Sequence, residues 1–343
     1  MSDISQRKLD HIDLVLREDV GMAGNPTGFG GYAFIPEALP ELAPSDVDLG
    51  TTFLGRRFEA PILIASMTGG PQRGEDINRH LGQAAQALGL PMGVGSQRII
   101  FEKPEALASF TAARAAGPDV FLLGNLGAVQ LNYGFDPARV IEAVEAIGAD
   151  GVFLHLNALQ ELIQPGGDTD FRGLLDRIEA VVKAAPFPVL IKEVGCGIAP
   201  ETARKLAARG VAAIDVSGAG GTSWAKIEAH RAADPAQRTL GEVFGEWGLP
   251  TAVALRGCRD ALPDFPLIAS GGIRTGLDVA KAIALGADMV SFAMPLLEPA
   301  TRSGEAVEAA LRQILAELRA TMFLIGVRDV ATLRRSRHLL RTV

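Results

Sequence analysis

The sequence holds only two cysteines, Cys196 and Cys258, and their spacing matches no metal site. A disulfide framework is therefore excluded, and a reduced, cytoplasmic setting is expected. No apolar run approaches the roughly 18 residues that a membrane helix needs. The N-terminus, M-S-D-I-S-Q-R-K-L-D-H, is polar where a targeting segment would be apolar. Basic residues are also in deficit. With 33 Lys and Arg against 40 Asp and Glu, the net charge is -7 and the pI about 5.4. Such a balance argues against nucleic acid or an anionic membrane as partner, while leaving room for a local basic pocket. The 39 glycines and 20 prolines show no repeating period and no low-complexity tract.

What is present is a large apolar fraction, 48% of 343 residues, arranged as alternating short runs and longer Ala/Leu-rich segments. The runs lie at 61–66, 92–96, 119–125, 151–157, 188–194, 212–217, 266–271 and 289–294. Helical segments fall between them, at 104–116, 136–147, 172–185, 200–209 and 275–286. Strands alternating with helices imply a parallel sheet, and eight such units imply an α/β fold of the (β/α)8 TIM barrel type rather than an open doubly wound sheet. The longest interval, 218–265, predicts an enlarged loop and helix after strand 6. Residues 1–60 are expected to form an N-terminal arm, a short helix with an irregular cover, over a barrel spanning 61–326. Residues 327–343, ending in the basic L-R-R-S-R-H-L-L-R, are expected to be a helical tail with a solvated face.

In this fold, chemistry gathers at the C-terminal ends of the strands. Those ends read S-M-T-G-G, G-S-Q-R, G-N-L-G, H-L-N-A-L-Q-E, K-E, V-S-G-A-G-G-T-S, S-G-G-I-R-T-G and F-A-M-P. The glycine-rich S-G-G-I-R-T-G after strand 7 and the A-M-P after strand 8 fall where this barrel binds phosphate, with Arg274 adding charge and G-A-G-G-T after strand 6 offering further N–H groups. Lys192, inside the apolar V-L-I-K-E-V, reads as a fixed positive charge beside a cofactor ring, with a structural ion pair as the alternative. His155 and Asn157, two residues apart, share one side of their strand. Glu161 is the one carboxylate among neutral amides, a pattern that suits Mg²⁺ completed by substrate phosphate oxygens and water. Arg7, Lys8 and His11, with Arg98, could clamp a second anion from the N-terminal arm. Cys196 has no base within sequence reach and reads as structural, as does Cys258.

Taken in order, R-K-x-D-H, A-S-M-T-G-G, G-S-Q-R, N-L-G, H-L-N-A-L-Q-E with P-G-G-D-T-D-F, K-E-V-G-x-G, S-G-A-G-G-T-S-W and S-G-G-I-R-T-G resemble the type 2 isopentenyl-diphosphate delta-isomerase family. The resemblance runs from about residue 7 to about 326. It implies a soluble enzyme, a homo-oligomer such as a tetramer or octamer, that interconverts isopentenyl and dimethylallyl diphosphate. It implies reduced FMN, with NADPH as reductant, and Mg²⁺. Carried over position by position, FMN is expected at Ala65, Ser66, Met67, Thr68, Ser96, Asn125, Lys192, Ser217 and Thr222. Its phosphate end is expected at Gly272, Ile273, Arg274, Ala293 and Met294. Substrate is expected at Arg7, Lys8, His11, Ser96, Gln97, Arg98, His155, Asn157 and Gln160, and the metal at Glu161. Gln160, Lys192, His155 and Asn157 are then the catalytic group, supporting N5 of the reduced flavin as acid and base.

An FMN-dependent 2-hydroxy-acid oxidase would share the barrel, the strand-5 lysine and the glycine-rich loops. It needs a histidine base in a stretch such as S-N-H-G-x-R-Q. The corresponding V-S-G-A-G-G-T-S has none, and the five histidines lie elsewhere. A non-catalytic flavin or phosphate binder would have little use for so many polar strand ends. The single carboxylate at the end of strand 4 yields a test. Glu161→Gln should raise the Mg²⁺ requirement for turnover far more than it weakens FMN binding. Equal changes in the metal and flavin titrations would remove Glu161 as the metal ligand.

Overall fold

A computed structural model describes residues 4–67 and 73–342 of the chain. Eight parallel strands close into a barrel. They are β1 Ile62–Ile64, β2 Met92–Gly93, β3 Leu122–Gly127, β4 Gly151–His155, β5 Val189–Lys192, β6 Ala213–Asp215, β7 Leu267–Ala269 and β8 Met289–Phe292. Each falls within one of the eight apolar runs except β3, which continues two residues beyond its run to Gly127. β8 pairs with β1 through Val290↔Ile62, Ser291↔Leu63 and Phe292↔Ile64, so the sheet has no open edge.

Successive residues of a strand face opposite sides. Leu63, Leu123, Phe153, Leu190, Ala213, Ile268 and Met289 therefore point inward and pack together as one buried cluster. Their neighbours Ile62, Leu122, Val152, Val189, Ile214, Leu267 and Val290 point outward, into the larger core beneath the helices. The inner cluster also includes Phe53 and Phe58. These belong to an antiparallel hairpin, Thr51–Phe53 with Arg56–Phe58, that packs against the inward side chains of the barrel.

The segment before the barrel is thus more ordered than an irregular cover. It carries the helix Ile4–Arg17 and the hairpin, and the strand Tyr32–Phe34 lies between them. The tail also departs from the helical expectation. After the helices Gly304–Leu324 and Val330–Arg334, Leu339–Arg341 forms a strand antiparallel to Tyr32–Phe34, with Ala33 opposite Leu340. The two partners are some 300 residues apart, so no local period could reveal the pairing. The long interval after β6 holds three helices, Trp224–Arg231, Pro235–Val243 and Thr251–Ala261, rather than one. Ser223 and Asp234 cap the first two by accepting from the Lys226 and Ala236 N–H groups.

One device occurs twice in the loops entering the strands. Arg114 donates from Nε to the Gly148 carbonyl (3.0 Å) and from Nη1 to those of Gly117, Pro118 and Val120 (3.1, 2.9 and 2.8 Å). Its Nη2 meets Asp150 at 2.7 Å, and Asp150 accepts from the Leu122 N–H at 2.8 Å. Arg259 repeats this with the carbonyls of Gly286 (2.8 Å), Leu262 (3.0 Å), Pro263 (2.7 Å) and Phe265 (2.9 Å). Its Nη2 meets Asp288 at 2.7 Å, and Asp288 accepts from the Leu267 N–H at 2.9 Å. Each arginine lies eight residues before the start of β3 or β7, and each aspartate immediately precedes β4 or β8. The clasps therefore mark equivalent places in the two halves of the barrel, and they stand at strand starts. The Arg259 and Asp288 side chains are only 14% and 15% exposed, so the pair is weakly screened. Arg259→Ala would leave the Gly286, Leu262, Pro263 and Phe265 carbonyls without this donor, and Asp288 with only the Leu267 N–H and Arg334 as partners. A loss of about 2 kcal/mol, the cost of carbonyls stripped of their donor, is expected in urea or thermal unfolding, with FMN affinity unchanged because the clasp sits at the end of the barrel away from the strand C-termini.

Candidate functional site

Two residues beyond the inner apolar cluster, the same inward faces turn polar. Leu123 is followed by Asn125, Phe153 by His155, Leu190 by Lys192, and Ala213 by Asp215. Ile268 is followed by Ser270 and Met289 by Ser291. All six of these second residues line one cavity of about 300 Å³. The change of character fixes the floor of the cavity. Register then aligns its wall, because Gly127, His155, Lys192 and Asp215 are consecutive partners across β3, β4, β5 and β6.

Almost every residue expected at the site reaches this cavity. From the loops after β6, β7 and β8 come Ser217, Thr222, Gly272, Ile273, Arg274, Ala293 and Met294, and from the segments after β1 and β2 and from β3 come Ala65, Ser66, Met67, Ser96 and Asn125. His155, Asn157, Gln160, Glu161 and Lys192 line its depth, and Arg7, Lys8, His11 and Arg98 complete it. Thr68 lies outside the described residues. Gln97 is a correction. It is fully buried away from the cavity, donating to the Ala143 carbonyl at 2.6 Å and accepting from the Asn125 N–H at 3.0 Å. An added Cβ at Gly124 would stand 2.6 Å from its Oε1. Its role is to tie β3 to the turn after β2, because its side chain lies on the outer side of that turn. The motif G-S-Q-R cannot show which of its side chains turns inward.

The loops after β6 and β7 are pressed together. A Cβ added to Gly221 would come within 2.6 Å of the Gly272 nitrogen, and Gly271 and Gly272 have φ of +104° and +69°, where side chains are strained. Thr251 Oγ1 donates within this bundle, reaching the Gly271 carbonyl at 2.7 Å. Ser217 itself has φ +40°. This strained backbone places its Oγ 2.9 Å from that of Ser270. Ser66 Oγ and Ser291 Oγ are buried at the cavity wall with no hydrogen-bond partner among the described residues. Unpaired buried hydroxyls are costly, and a polar ligand would satisfy them. A glycine cradle at one end and orphan hydroxyls along the wall suit a flavin with a phosphate tail.

Asn157 and Glu161 form a second polar set. Glu161 is 7% exposed and accepts from Asn157 Nδ2 and the Asp168 N–H, both at 2.8 Å. Asn157 Oδ1 is buried and unpartnered. One carboxylate beside an idle amide oxygen is a fitting donor pair for a hard cation that takes its other ligands from phosphate and water. Among the described residues, no three His, Cys, Asp or Glu side chains converge on a metal position.

Gln160 is fixed from both sides, accepting from Asn157 Nδ2 and donating to Glu228 Oε1, each at 3.2 Å. Glu228 has no exposed surface and also binds His11 Nε2 at 3.0 Å and Arg231 Nη1 at 2.6 Å. Burial alone would raise its carboxyl, but His11, Arg231 and Gln160 hold it below its ordinary value. Sequence reasoning missed Glu228, which sits on an inserted helix with nothing in its surroundings to mark it. Asp215 was missed for a different reason, since it looks like an ordinary residue in A-A-I-D-V-S. Its inward position, two residues past Ala213, was the available signal.

His155 is pushed down to about 3 by burial and by the charges of Lys192 and Lys8, so the ring is neutral. Its Nδ1 lies 2.9 Å from Asn125 Oδ1, which makes Nδ1 the protonated nitrogen. Cys196 is pushed up to about 12 by burial and by Glu193, leaving it a thiol and not a nucleophile. Cys258 donates to the Ile198 carbonyl at 3.3 Å.

This geometry can be set beside known proteins. The FMN-dependent dehydrogenase family matches residues 2–154 and 155–341. In fold, the chain is similar to a mandelate oxidase solved with 3,3-difluoro-2-hydroxy-3-phenylpropionic acid (21% identity, TM-score 0.66, 100% and 99% of the two chains). It is also similar to a sulfite-bound flavocytochrome b2 (21%, TM-score 0.69, 97% and 83%). The protein is thus a barrel of the FMN-dependent dehydrogenase class. Within that class it is 51% identical to the isopentenyl-diphosphate delta-isomerase of Synechococcus sp. (97% of this chain, 96% of the relative). It is also 51% identical to that of Stutzerimonas stutzeri (97% and 96%) and 44% identical to that of Rickettsia bellii (98% and 97%). The chain belongs to the isopentenyl-diphosphate delta-isomerase family, as the sequence motifs implied.

Lys8 yields a pH test. Its Nζ donates to the Ser96 carbonyl at 2.8 Å and lies 5.2 Å from the centre of the Phe110 ring. Burial, and then the charge of Arg7, pushes the amine down to about 7. The cation is therefore present below pH 7 and lost as pH rises through it. Inorganic pyrophosphate should bind about tenfold more weakly at pH 8.5 than at pH 6, the worth of one charge-assisted contact. In Lys8→Arg, calorimetry should show that fall abolished over the same range.

Proposed function

We propose that the chain interconverts isopentenyl and dimethylallyl diphosphate by an allylic 1,3-proton shift, with FMN in the barrel mouth and Mg²⁺ at Glu161. The observation that carries this reading is one continuous cavity with two unlike anion-binding ends. The glycine-rich loops after β6 and β7, with Ala293 and Met294 after β8, form one end. Arg7, Lys8 and Arg98 form the other, beside Asn157 and Glu161. A flavin phosphate suits the first, and a diphosphate with its cation suits the second.

The side chains between the two ends have distinct tasks. Lys192 supplies fixed positive charge in the wall. Reduced FMN, formed at the expense of NADPH or another donor, supplies an electron-rich ring and an exchangeable proton at N5. His155, neutral and tied through Nδ1 to Asn125, presents Nε2 as its remaining polar atom. Gln160 is an amide and does not titrate. Its orientation, set by Asn157 and Glu228, serves to hold water or substrate in place. Arg98 arrives pre-paired with Asp168 at 2.7 Å and Glu102 at 3.1 Å, so its guanidinium is positioned before an anion enters. Burial of Arg7 lowers its pKa without discharging it. Positioning of this kind is what protonating an unactivated alkene requires, since alkenes are weak bases. The 2-hydroxy-acid oxidase reading shares the barrel. Of the five histidines in the sequence, His11 and His155 line the cavity, and neither stands in the strand-6 loop where that chemistry would place its base.

The test is anaerobic incubation of the protein with FMN, NADPH, Mg²⁺ and isopentenyl diphosphate, followed by NMR. Dimethylallyl diphosphate should form only when flavin is reduced and Mg²⁺ is present. A protein that binds FMN but forms no product would lose the substrate reading and keep the cofactor.

A further inference from the structure

Lys192 and Asp215 are opposite partners on β5 and β6, and both line the cavity. Opposite charges placed in register would ordinarily pair. Here they do not. The Lys192 ammonium donates to the Glu193 carbonyl at 3.3 Å. Asp215, 3% exposed, turns its Oδ1 to Ser270 Oγ at 2.6 Å, the Ser217 N–H at 3.1 Å and Ser217 Oγ at 3.4 Å. The two serine hydroxyls are themselves linked at 2.9 Å.

A buried lysine without counter-charge tends to discharge. Burial indeed lowers the pKa of Lys192, with Asp215 first and Glu193 second among the charges that oppose the fall. The other titratable group beside it on β4, His155, is neutral. Glu193 is pushed up to about 7 by burial, and its Oε2 is occupied by the N–H groups of Val194 and Gly195 at 2.6 and 2.7 Å and by that of Cys196 at 2.5 Å. Asp215 is pushed up to about 6 by burial, opposed by Ser270 and Lys192, and it is the carboxylate in register with Lys192 and the first of the charges that support the ammonium. It is therefore the counter-charge on which Lys192 depends.

We propose that Asp215 is a positioning residue that keeps Lys192 charged before the cofactor is reduced, while the Ser217–Ser270 hydroxyl pair holds the carboxylate back so that the ammonium stays free to face the cavity. Removing the carboxylate would let Lys192 discharge beside a neutral, oxidised ring. Removing the serine restraint would let the two charges close on each other. The two changes act on Lys192 in opposite directions. A merely structural role would move both the same way. The inference rests on FMN as resident cofactor and does not require the isomerase reading.

The test uses FMN-loaded protein carrying ¹³C-labelled lysine, whose seven lysines can be followed by NMR. The Lys192 signal is assigned by its loss in Lys192→Met. In Asp215→Asn the Lys192 titration midpoint should fall by about one pH unit or more, with oxidised FMN still bound. At pH 8 the preference for reduced over oxidised FMN should fall about tenfold in parallel. In Ser270→Ala the midpoint should rise. An unmoved midpoint in Asp215→Asn, or a fall in both variants, would overturn the proposal. A parent protein that retains no FMN would overturn the cofactor reading as well, so the two failures are distinguishable.

Discussion

The structure depends on a two-residue period along the inward faces of eight strands. Every strand must present alternate side chains to the barrel interior, and closure leaves no edge at which a misfit could be relieved. One layer is filled by Leu63, Leu123, Phe153, Leu190, Ile268 and Met289, with Phe53 and Phe58 from the hairpin. The next inward layer cannot also be apolar without filling the mouth. In this chain it is Asn125, His155, Lys192, Asp215, Ser270 and Ser291. Stability and chemistry are thus assigned to adjacent layers. The apolar layer is buried, and it sets the low-dielectric floor against which the polar layer works. That floor explains why Lys192 and His155 are both pushed down and Asp215 up, since burial is the largest cause in each case.

Around that mouth the N-terminal segment acts as structural wall and as source of charge. Gly21 bridges to Thr222, the Met22 N–H reaches the Gly221 carbonyl at 2.9 Å, and the Ala252 N–H reaches the Thr27 carbonyl at 2.9 Å. A Cβ at Gly220 would stand 2.3 Å from the Thr27 nitrogen, so only glycine lets the segment lie this close. The helix before it brings Arg7, Lys8 and His11 to the cavity, anchored through Glu228 to the helix Trp224–Arg231. The insertion after β6 and the segment before β1 therefore form one enclosure, although about 200 residues separate them in the chain.

Much of this was legible in the residues. Short apolar runs at strand length, separated by helical segments, define a barrel because each strand must be covered on its outer face by the helix that follows. The strand ends were readable because their composition departs from what turns require. Gln97 was not, because a motif of four residues does not say which side chain turns inward. The pairing of Leu339–Arg341 with Tyr32–Phe34 was not either, because it joins the two ends of the chain and leaves no local period. The second helix of the insertion starts at Asp234-Pro235, a cap and first-turn signal present in the sequence but hidden inside a long interval read as one loop and one helix.

By itself the sequence determined the barrel, its strands and many of the side chains at the mouth, since strands follow from local period and the motifs carried the site residues. Only the tertiary structure decided how those side chains are charged and aimed. Lys192, Asp215 and Glu228 are ordinary letters until register places them. Lys192 then faces a carboxylate held away by two serines, and Glu228 lies buried between His11, Arg231 and Gln160. Burial and distance set electrostatic energies, and both are properties of contacts between strands and helices far apart in the chain.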